Sequence, residues 1–147
     1  MIREYQKTDW PEVKALYEEA LAEWLDISHY PIAVYADIHK PLTEDEIEVC
    51  VVNADSTGAV TGLLVGGKYI GKTLFVYDFY VTPEFRVTLV PGRMYRLFEA
   101  LATAKGYERI IFETSPYHKN YIEMLGRADC HLCKLQFAKE LNKDGRT

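Results

Sequence analysis

The segment Thr73–Val81 (Thr-Leu-Phe-Val-Tyr-Asp-Phe-Tyr-Val) constrains the fold more than any other part of this sequence. It consists almost entirely of apolar, β-branched and aromatic residues, and Asp78 is its only charged residue. Such residues favour β-strands, and a strand without a polar face is typical of a sheet that is covered on both sides. We therefore expect a central strand here, with helices packed on both faces of its sheet.

An amphipathic helix is predicted before this strand. Its apolar residues recur at the spacing of one helix face: Val13, Leu16, Tyr17, Ala20, Leu21 and Trp24. Thr8 or Asp9 can cap its start, and Asp9 with Glu12 has the spacing of a capping box. Thr43 and Glu46 have the same spacing and predict a second, short helical turn.

The remaining segments alternate between strands and helices. Strands are predicted at Ile2–Gln6, Glu48–Asn53, Ala59–Val65, Arg109–Glu113 and His131–Leu141. Helices are predicted at Gly92–Lys105, ended by Gly106, and at Ser115–Leu125, broken at Gly126. This order predicts a single α/β domain over residues 1–147, with a mixed, mostly antiparallel central sheet of about six to seven strands and helices on both faces.

Charge and composition exclude several classes of function. The 147 residues carry 17 Lys and Arg against 22 Asp and Glu, a net charge of −5. Nucleic-acid binding usually needs a basic surface, and no uncharged run reaches the roughly 18 residues of a membrane span, so neither partner is expected. The N-terminus turns charged at once, which predicts no export signal, and three cysteines do not make a disulfide framework. We therefore expect a cytoplasmic protein.

The stretch after the central strand has features of an anion-binding site. Phe79–Arg86 runs from the strand into a loop, and Gly92 then opens the next predicted helix. A helix N-terminus binds anions through its free N–H groups and its dipole. Arg86, Arg93 and Arg96 add positive charge to the same region of an otherwise acidic protein. A solvated basic helix face is the alternative interpretation.

These residues resemble a known family. Val81-Thr82-Pro83-Glu84-Phe85-Arg86, followed by a glycine and a helix, is similar to the strand and pyrophosphate loop of the GNAT superfamily of N-acetyltransferases. Leu125-Gly126 and the ending Phe137-Ala138-Lys139-Glu140-Leu141 are also similar, so the resemblance covers nearly the whole chain. It implies a GNAT-like (acyl-CoA N-acyltransferase) fold that binds acetyl-CoA in a V between the fourth and fifth strands and passes the acetyl group directly to an amine. Dimers are common in that superfamily, so a homodimer is one expected state.

The resemblance also implies where acetyl-CoA binds. Backbone groups of Phe79, Tyr80 and Val81 would face its pantetheine arm. Amides of the following loop and helix would face its pyrophosphate, namely those of Arg86, Val87, Thr88, Gly92 and Arg93. The asparagine that the family has in the loop before the last helix falls at Ser115.

The sequence departs from the family pattern R-x-x-G-x-G in this loop. The first glycine is missing, the loop is one residue longer, and Pro91 has no N–H to donate. The tyrosine that often protonates the leaving thiolate falls at Ile122, whereas Tyr121 is one residue away and on a different helix face. These departures keep a second hypothesis open: a non-catalytic protein of the same fold that binds a protein partner through its tyrosine-rich surface.

Acetyl transfer needs a proton acceptor, because an ammonium must lose a proton before its nitrogen can attack. Asp78 is the first candidate, since burial within the apolar strand would raise its pKa. A hydrogen bond to a neighbouring backbone or tyrosine group is its alternative role. Tyr80 alternates onto the same face, and either Tyr80 or Tyr117 could act as the acid for the departing thiolate. Glu113, at the end of the fifth strand, is a second candidate base.

The segment Asp26–Asp45 is expected to line the acceptor side, because family members build that wall from this region. It is rich in acidic and aromatic residues: Asp26, His29, Tyr30, Tyr35, Asp37 and His39, followed by Glu44, Asp45 and Glu46. Such a wall suits a cationic amine, for example a polyamine, a lysine side chain or an aminoglycoside. A favourable helix N-terminus is the alternative explanation of the acidic run.

Cys130-His131-Leu132-Cys133 has the ligand types of a zinc site, which Cys50 or His118 could complete. However, no second CxxC or HxxxH pair exists, and a strand would turn the two cysteines of the motif to opposite faces. We therefore expect buried, inert cysteines and no metal.

Overall fold

A computed structural model describes residues 1–28, 41–114 and 118–133. Five strands form its sheet: β1 (Ile2–Glu4), β2 (Val49–Ala54), β3 (Val60–Lys68), β4 (Thr73–Val81) and β5 (Arg109–Phe112). Their spatial order is β1-β2-β3-β4-β5. The first three pairings are antiparallel, and β4 pairs with β5 in parallel. The molecule is therefore a mixed α/β fold with a mostly antiparallel sheet.

Three helices accompany the sheet: α1 (Trp10–Ser28), α2 (Val90–Ala104) and α3 (Lys119–Arg127). Short 3₁₀ turns occur at Lys7–Asp9, Glu44–Glu46 and Pro83–Phe85. Among the described residues, every helix is too short or too polar to span a lipid bilayer.

Helices cover both faces of the sheet. The inner side of α1 packs with Leu63, Val65 and Tyr80 in one buried cluster. The inner side of α2 packs with Val76 and Val81 in a second buried cluster on the opposite face. The central position that the composition of Thr73–Val81 predicts is confirmed, because β4 contributes residues to both clusters.

Several predicted boundaries need correction. The described residues contain five strands, so the count of six to seven is not confirmed. Residues 131–133 of the predicted last strand are irregular, and the rest of that strand lies outside the described residues. The last helix begins at Lys119 and continues through Gly126, because this glycine does not adopt the positive φ that ends a helix. Gly106 does adopt it, with φ of 89° directly after α2, as its predicted stop requires.

In both predicted capping boxes, the side chains do not make the predicted hydrogen bonds. Asp9 lies in the 3₁₀ turn before α1, where its carboxylate accepts the Gln6 amide at 2.7 Å. Both of its oxygens also accept hydrogen bonds from Arg3, at 2.7 and 2.8 Å. Glu12 bonds instead to the amide of Val60 on β3. Thr43 precedes a 3₁₀ turn but makes no side-chain capping bond.

The Arg3–Asp9 pair yields a prediction about stability. Asp9 is buried, and the Arg3 hydrogen bond holds the pKa of its carboxyl below the usual range. We expect Asp9→Asn to lower the free energy of unfolding at pH 7 by about 1–3 kcal/mol, because the guanidinium and the Gln6 amide lose a charged acceptor. A carboxyl whose pKa is lower in the folded than in the unfolded state stabilises the fold at pH values above the unfolded pKa. This stabilisation is lost as the pH falls through the folded pKa. Urea unfolding at pH 7 and pH 3 should therefore show a smaller difference between wild type and variant at pH 3; an equal difference at both values would contradict this account.

The strands β4 and β5 separate halfway along β4. Their pairing runs from Thr73 opposite Arg109 to Val76 opposite Phe112, where β5 ends. At the same level, β4 carries a bulge against β3: Val65 pairs with Asp78 and Gly66 pairs with Val76. An extra residue bends a strand and increases its twist. The bulge therefore lies where β4 separates from β5.

The bulged residue, Tyr77, packs closely on β3. A Cβ added at Gly67 would collide with the ring and hydroxyl of Tyr77. The Tyr77 ring can therefore pack over β3 because Gly67 has no side chain.

Candidate active site

A cavity of about 1180 Å³ occupies the space where β4 leaves β5. Six regions line it: the C-terminal half of α1, residues 41–46, β4 from Phe75 onward, the loop after β4 as far as Pro91, residues 113–114 after β5, and α3 with the preceding His118. Beyond Val76, the β4 edge that faces away from β3 pairs with no other strand among the described residues. Its unpaired peptide groups can bond to an extended ligand that carries amides of its own.

Asp78 lies on the α1 face of β4, opposite Val65, and lines the cavity. Burial raises the pKa of its carboxyl to about 7, and the charge of Glu23 acts in the same direction. A hydrogen bond from the Phe79 amide partly opposes the shift, so the backbone bond suggested as an alternative role is present as well. A carboxyl that titrates near pH 7 inside a cavity can accept a proton and release it again.

Tyr80 shares the face of Asp78, as the two-residue period predicts. Its hydroxyl donates to Glu19 of α1 at 3.0 Å, and its residue is 8% exposed. Burial and the two neighbouring glutamates, Glu19 and Glu23, raise the pKa of Tyr80. Its hydroxyl therefore has its partners on α1.

Arg86 follows the 3₁₀ turn after β4 and turns its guanidinium toward α1. Its Nε donates to the Val81 carbonyl at 2.7 Å, and its Nη2 donates to Glu23 Oε2 at 2.7 Å. The guanidinium carbon lies 5.1 Å from the centroid of the Tyr80 ring, in cation–π contact. The guanidinium that the sequence analysis predicts to add positive charge to an anion site therefore has partners on the α1 side of the cavity.

The loop between Arg86 and α2 is open to solvent. Val87 is 95% exposed and Leu89 70% exposed. Thr88 accepts the Val90 amide at 3.2 Å and so caps the start of α2, which begins two residues before Gly92. Within the described chain, the amides of Val87, Leu89 and Gly92 donate to no other residue. These donors remain available, whereas Pro91 between them has none.

Gly92 lies in the first turn of α2, and Arg93 follows it. No atom lies within 4 Å of the position that a Cβ would occupy at Gly92. Arg93 is exposed, and its amide donates to the Leu89 carbonyl at 3.1 Å. Its amide is thus used within the helix, while its side chain is open to solvent.

Tyr121 of α3 enters the cleft, which the sequence analysis did not predict. Its ring packs edge-on against Phe79 of β4, with centroids 6.0 Å apart, and against Phe112 of β5, at 6.5 Å. Burial raises the pKa of its hydroxyl well above the usual value, and the charge of Asp78 adds to the shift. Ile122, at the position that the family pattern indicates, is 42% exposed. The spacing to Leu125, the buried residue of α3 one turn later, was the available signal for the inward face.

Polar atoms without partners surround the same cleft. Thr114 Oγ1 and His118 Nε2 are buried and make no hydrogen bond, and both residues line the cavity. Burial lowers the pKa of His118, so its imidazole is neutral near pH 7. A buried polar group without a partner costs free energy, and a bound ligand can remove that cost. Glu113 is exposed at the cavity edge, and Ser115 and Tyr117 lie outside the described residues.

Comparison with known proteins was made by sequence and by structure. No protein-family model matches the sequence, and no curated protein matches it. Several solved structures do match. A GNAT-family acetyltransferase from Staphylococcus aureus Mu50 aligns with a TM-score of 0.67 at 8% identity, over 87% of this chain and 82% of its own. The aminoglycoside N-acetyltransferase AAC(6')-Iy in complex with CoA aligns with a TM-score of 0.66 at 16% identity, over 97% of this chain and 100% of its own.

A proposed acetyl transfer enzyme from Pyrococcus furiosus aligns with a TM-score of 0.74 at 14% identity, over 96% of this chain and 99% of its own. The chain has the GNAT acetyltransferase fold. The resemblance drawn from Val81–Arg86 is thus confirmed at the level of the fold, and the cavity of this GNAT fold lies at the divergence of β4 and β5.

In the region that the sequence analysis predicts for an acceptor, the described residues provide a mixture of charged and aromatic groups. Glu23, Trp24 and Glu46 line the cavity, and Asp26 is exposed. Glu44 accepts the Tyr5 hydroxyl at 2.5 Å, away from the cavity. The remaining residues predicted for this wall lie outside the described part of the chain: His29, Tyr30, Tyr35, Asp37 and His39.

The two cysteines of the CxxC motif, Cys130 and Cys133, do not lie in a strand. Cys50 is buried in β2, Cys130 is half-buried behind the end of α3, and Cys133 is exposed; all three are free thiols. The amide of Cys130 donates to the Leu125 carbonyl, after a left-handed residue at Asp129. The predicted burial is therefore wrong for Cys133. Among residues 1–28, 41–114 and 118–133, no group of three or more His, Cys, Asp and Glu side chains is placed to hold a metal ion.

Proposed function

We propose that this protein transfers an acetyl group from acetyl-CoA to a primary amine of a small molecule or a protein. The observation that carries the proposal is the cavity at the β4–β5 divergence, which both Asp78, with a pKa near 7, and Tyr121 line. The fold is that of acetyltransferases, including the CoA-bound enzyme described above. The described residues fit acetyl-CoA in two respects: open amides at the start of α2, and unpartnered polar atoms in the cleft.

The chain provides donors for each part of the cofactor. We assign the pyrophosphate to the open amides of the loop Val87–Gly92, with positive charge from Arg86 and Arg93, and expect Thr88 and its hydroxyl to border it. We assign the pantetheine to the unpaired edge of Phe79–Val81; Ser115, which the resemblance also implies for the cofactor, lies outside the described residues. When bound, acetyl-CoA supplies a thioester carbonyl carbon that an amine can attack.

The proton transfers are assigned to two residues. Asp78 accepts a proton from the acceptor ammonium, since its carboxyl is ionised in part at neutral pH; Glu113 is the second candidate base. As the new C–N bond forms and the C–S bond breaks, Tyr121 gives its hydroxyl proton to the departing sulfur, and the phenolate takes the second proton that the nitrogen loses on becoming an amide. We assign this step to Tyr121 because the Tyr80 hydroxyl already donates to Glu19.

A second candidate function is binding of a protein partner without catalysis. The exposed apolar side chains of Val87 and Leu89 favour it, because they lie on the loop that would receive the pyrophosphate. The two functions differ in whether acetyl-CoA binds at all.

Acetyl-CoA binding and its dependence on Gly92 test the proposal. We expect micromolar-range affinity by calorimetry and a rise in melting temperature by mass action. Gly92→Ala should leave the free protein folded, or stabilise it by up to about 1 kcal/mol, because the site is open and Ala favours helices. The same methyl group should weaken acetyl-CoA binding, since glycine permits close approach of the phosphates.

Gly58→Ala, at a positive-φ turn in the β2–β3 hairpin, is the control that should lower stability and leave affinity unchanged. No heat and no thermal shift with wild type at millimolar acetyl-CoA would contradict the enzyme proposal and favour the binding protein.

A further inference from the structure

Glu23 is the carboxylate of α1 that faces the cavity. It lines the cavity, and its charge acts on both Asp78 and His118 across it. Glu19, one helical turn earlier, is exposed and bonds to the Tyr80 hydroxyl. The two glutamates thus share Tyr80 as a neighbour, but Glu23 is the one that accepts Arg86 and reaches the proposed site of proton transfer.

The ion pair between Glu23 and Arg86 can exchange partners. Their side chains are 35% and 38% exposed, and pairs with such exposure contribute little to stability. Arg86 also begins the loop whose open amides are assigned to the pyrophosphate. Phosphate groups bound there would compete with Glu23 for the guanidinium, since both form strong charge-assisted hydrogen bonds with arginine.

We propose that Glu23 binds the ammonium of a cationic acceptor amine, and that Arg86 occupies this carboxylate until the pyrophosphate of acetyl-CoA takes the guanidinium over. The inference rests on the proposed function and deepens it by naming the acceptor class, an amine that carries positive charge when it binds. The ammonium held by Glu23 loses one proton to the Asp78 carboxylate. Its neutral nitrogen then bonds to the acetyl carbon while the C–S bond breaks and sulfur takes the Tyr121 proton. The nitrogen gives its second proton to the Tyr121 phenolate, so that the amide, the thiol and a neutral Tyr121 result.

This exchange couples the two ligands. Cofactor binding frees Glu23 for the amine, and amine binding frees Arg86 for the cofactor; linkage requires the two effects to be equal. Groups from each neighbouring element contribute to the field at Glu23: Tyr80 and Asp78 of β4, Arg86 of the loop and His118 before α3.

Calorimetry with CoA and spermidine, a tricationic polyamine, tests the inference on the full chain. We expect wild type to bind spermidine about tenfold more tightly at saturating CoA than without it, within the usual range of coupling between two sites. Glu23→Gln should weaken spermidine binding at saturating CoA by about tenfold or more, as loss of a charged acceptor does, and should abolish the coupling. CoA alone should bind Glu23→Gln more tightly than wild type, because Arg86 is released.

Two variants complete the test. Glu19→Gln is the matched control, and we expect CoA and spermidine to bind it as they bind wild type. Glu23→Asp keeps the charge and should restore part of the spermidine affinity, which a merely structural role for Glu23 would not predict. Absence of CoA binding to wild type would overturn the proposed function together with this inference. If CoA binds but wild type does not bind spermidine, or Glu23→Gln binds it as Glu19→Gln does, the inference alone is overturned.

Discussion

Asp78→Asn is expected to lower the turnover number for acetyl transfer by about 10²–10⁴-fold, the usual contribution of a general base. Asparagine has nearly the size of aspartate and can accept the Phe79 amide, but it cannot take a proton from an ammonium. Acetyl-CoA affinity should change little, since Asp78 is not among the groups assigned to the cofactor. Thioester cleavage is measured with polyamines, lysine peptides and aminoglycosides as acceptors. A larger loss in Glu113→Gln than in Asp78→Asn would move the base to Glu113.

The pH dependence of this carboxyl has a definite sign. Because its pKa is raised to about 7, the carboxyl cannot accept a proton well below pH 7, and turnover should increase through that value. Stability should change in the opposite direction: the folded state holds this proton at a pH where the unfolded chain, with a carboxyl pKa near 4, has lost it. Asp78 therefore destabilises the fold increasingly as pH rises from about 4 to 7, and Asp78→Asn should remove that slope.

Tyr121→Phe is expected to lower turnover by roughly tenfold to a hundredfold, below the full effect of a general acid because water can also protonate a thiolate. The ring contacts with Phe79 and Phe112 survive the substitution, so the melting temperature and the acetyl-CoA affinity should change little. Tyr95→Phe is the matched control, since Tyr95 also packs against Phe112, at 6.0 Å, but lies on α2 and does not line the cavity. Full turnover in Tyr121→Phe, with a loss in Tyr80→Phe, would return the acid role to Tyr80.

The parts of the fold that depend on local pattern could be predicted. Thr73–Val81 is a strand with the predicted bounds. Its apolar composition favours a strand locally, and Pro83 soon after it ends the strand. The inner face of α1 follows its 3.6-residue period, with Val13, Leu16 and Ala20 buried. The fold could be recognised from Val81–Arg86, because the residues that carry the family resemblance are adjacent in sequence there.

Contacts between distant segments could not be predicted. Arg86 meets Glu23 across 63 residues of sequence, and no local pattern encodes such a pair. The inward turn of Tyr121 depends on where α3 begins, and a shift of one residue rotates a helical side chain by about 100°. The Asp9–Glu12 box failed for the same reason on the side of Glu12, which bonds to the Val60 amide 48 residues away.

The contact between Gly67 and Tyr77 has a consequence for how the cavity can change in size. Tyr77 lines the cavity, whereas Gly67 does not; yet any side chain at position 67 would displace the Tyr77 ring. Because interiors are packed densely, a displaced ring must take its volume from the neighbouring empty space. The dimensions of the cavity are therefore controlled in part by a residue outside its lining, and selection on the size of the cavity can act on the strand behind its wall.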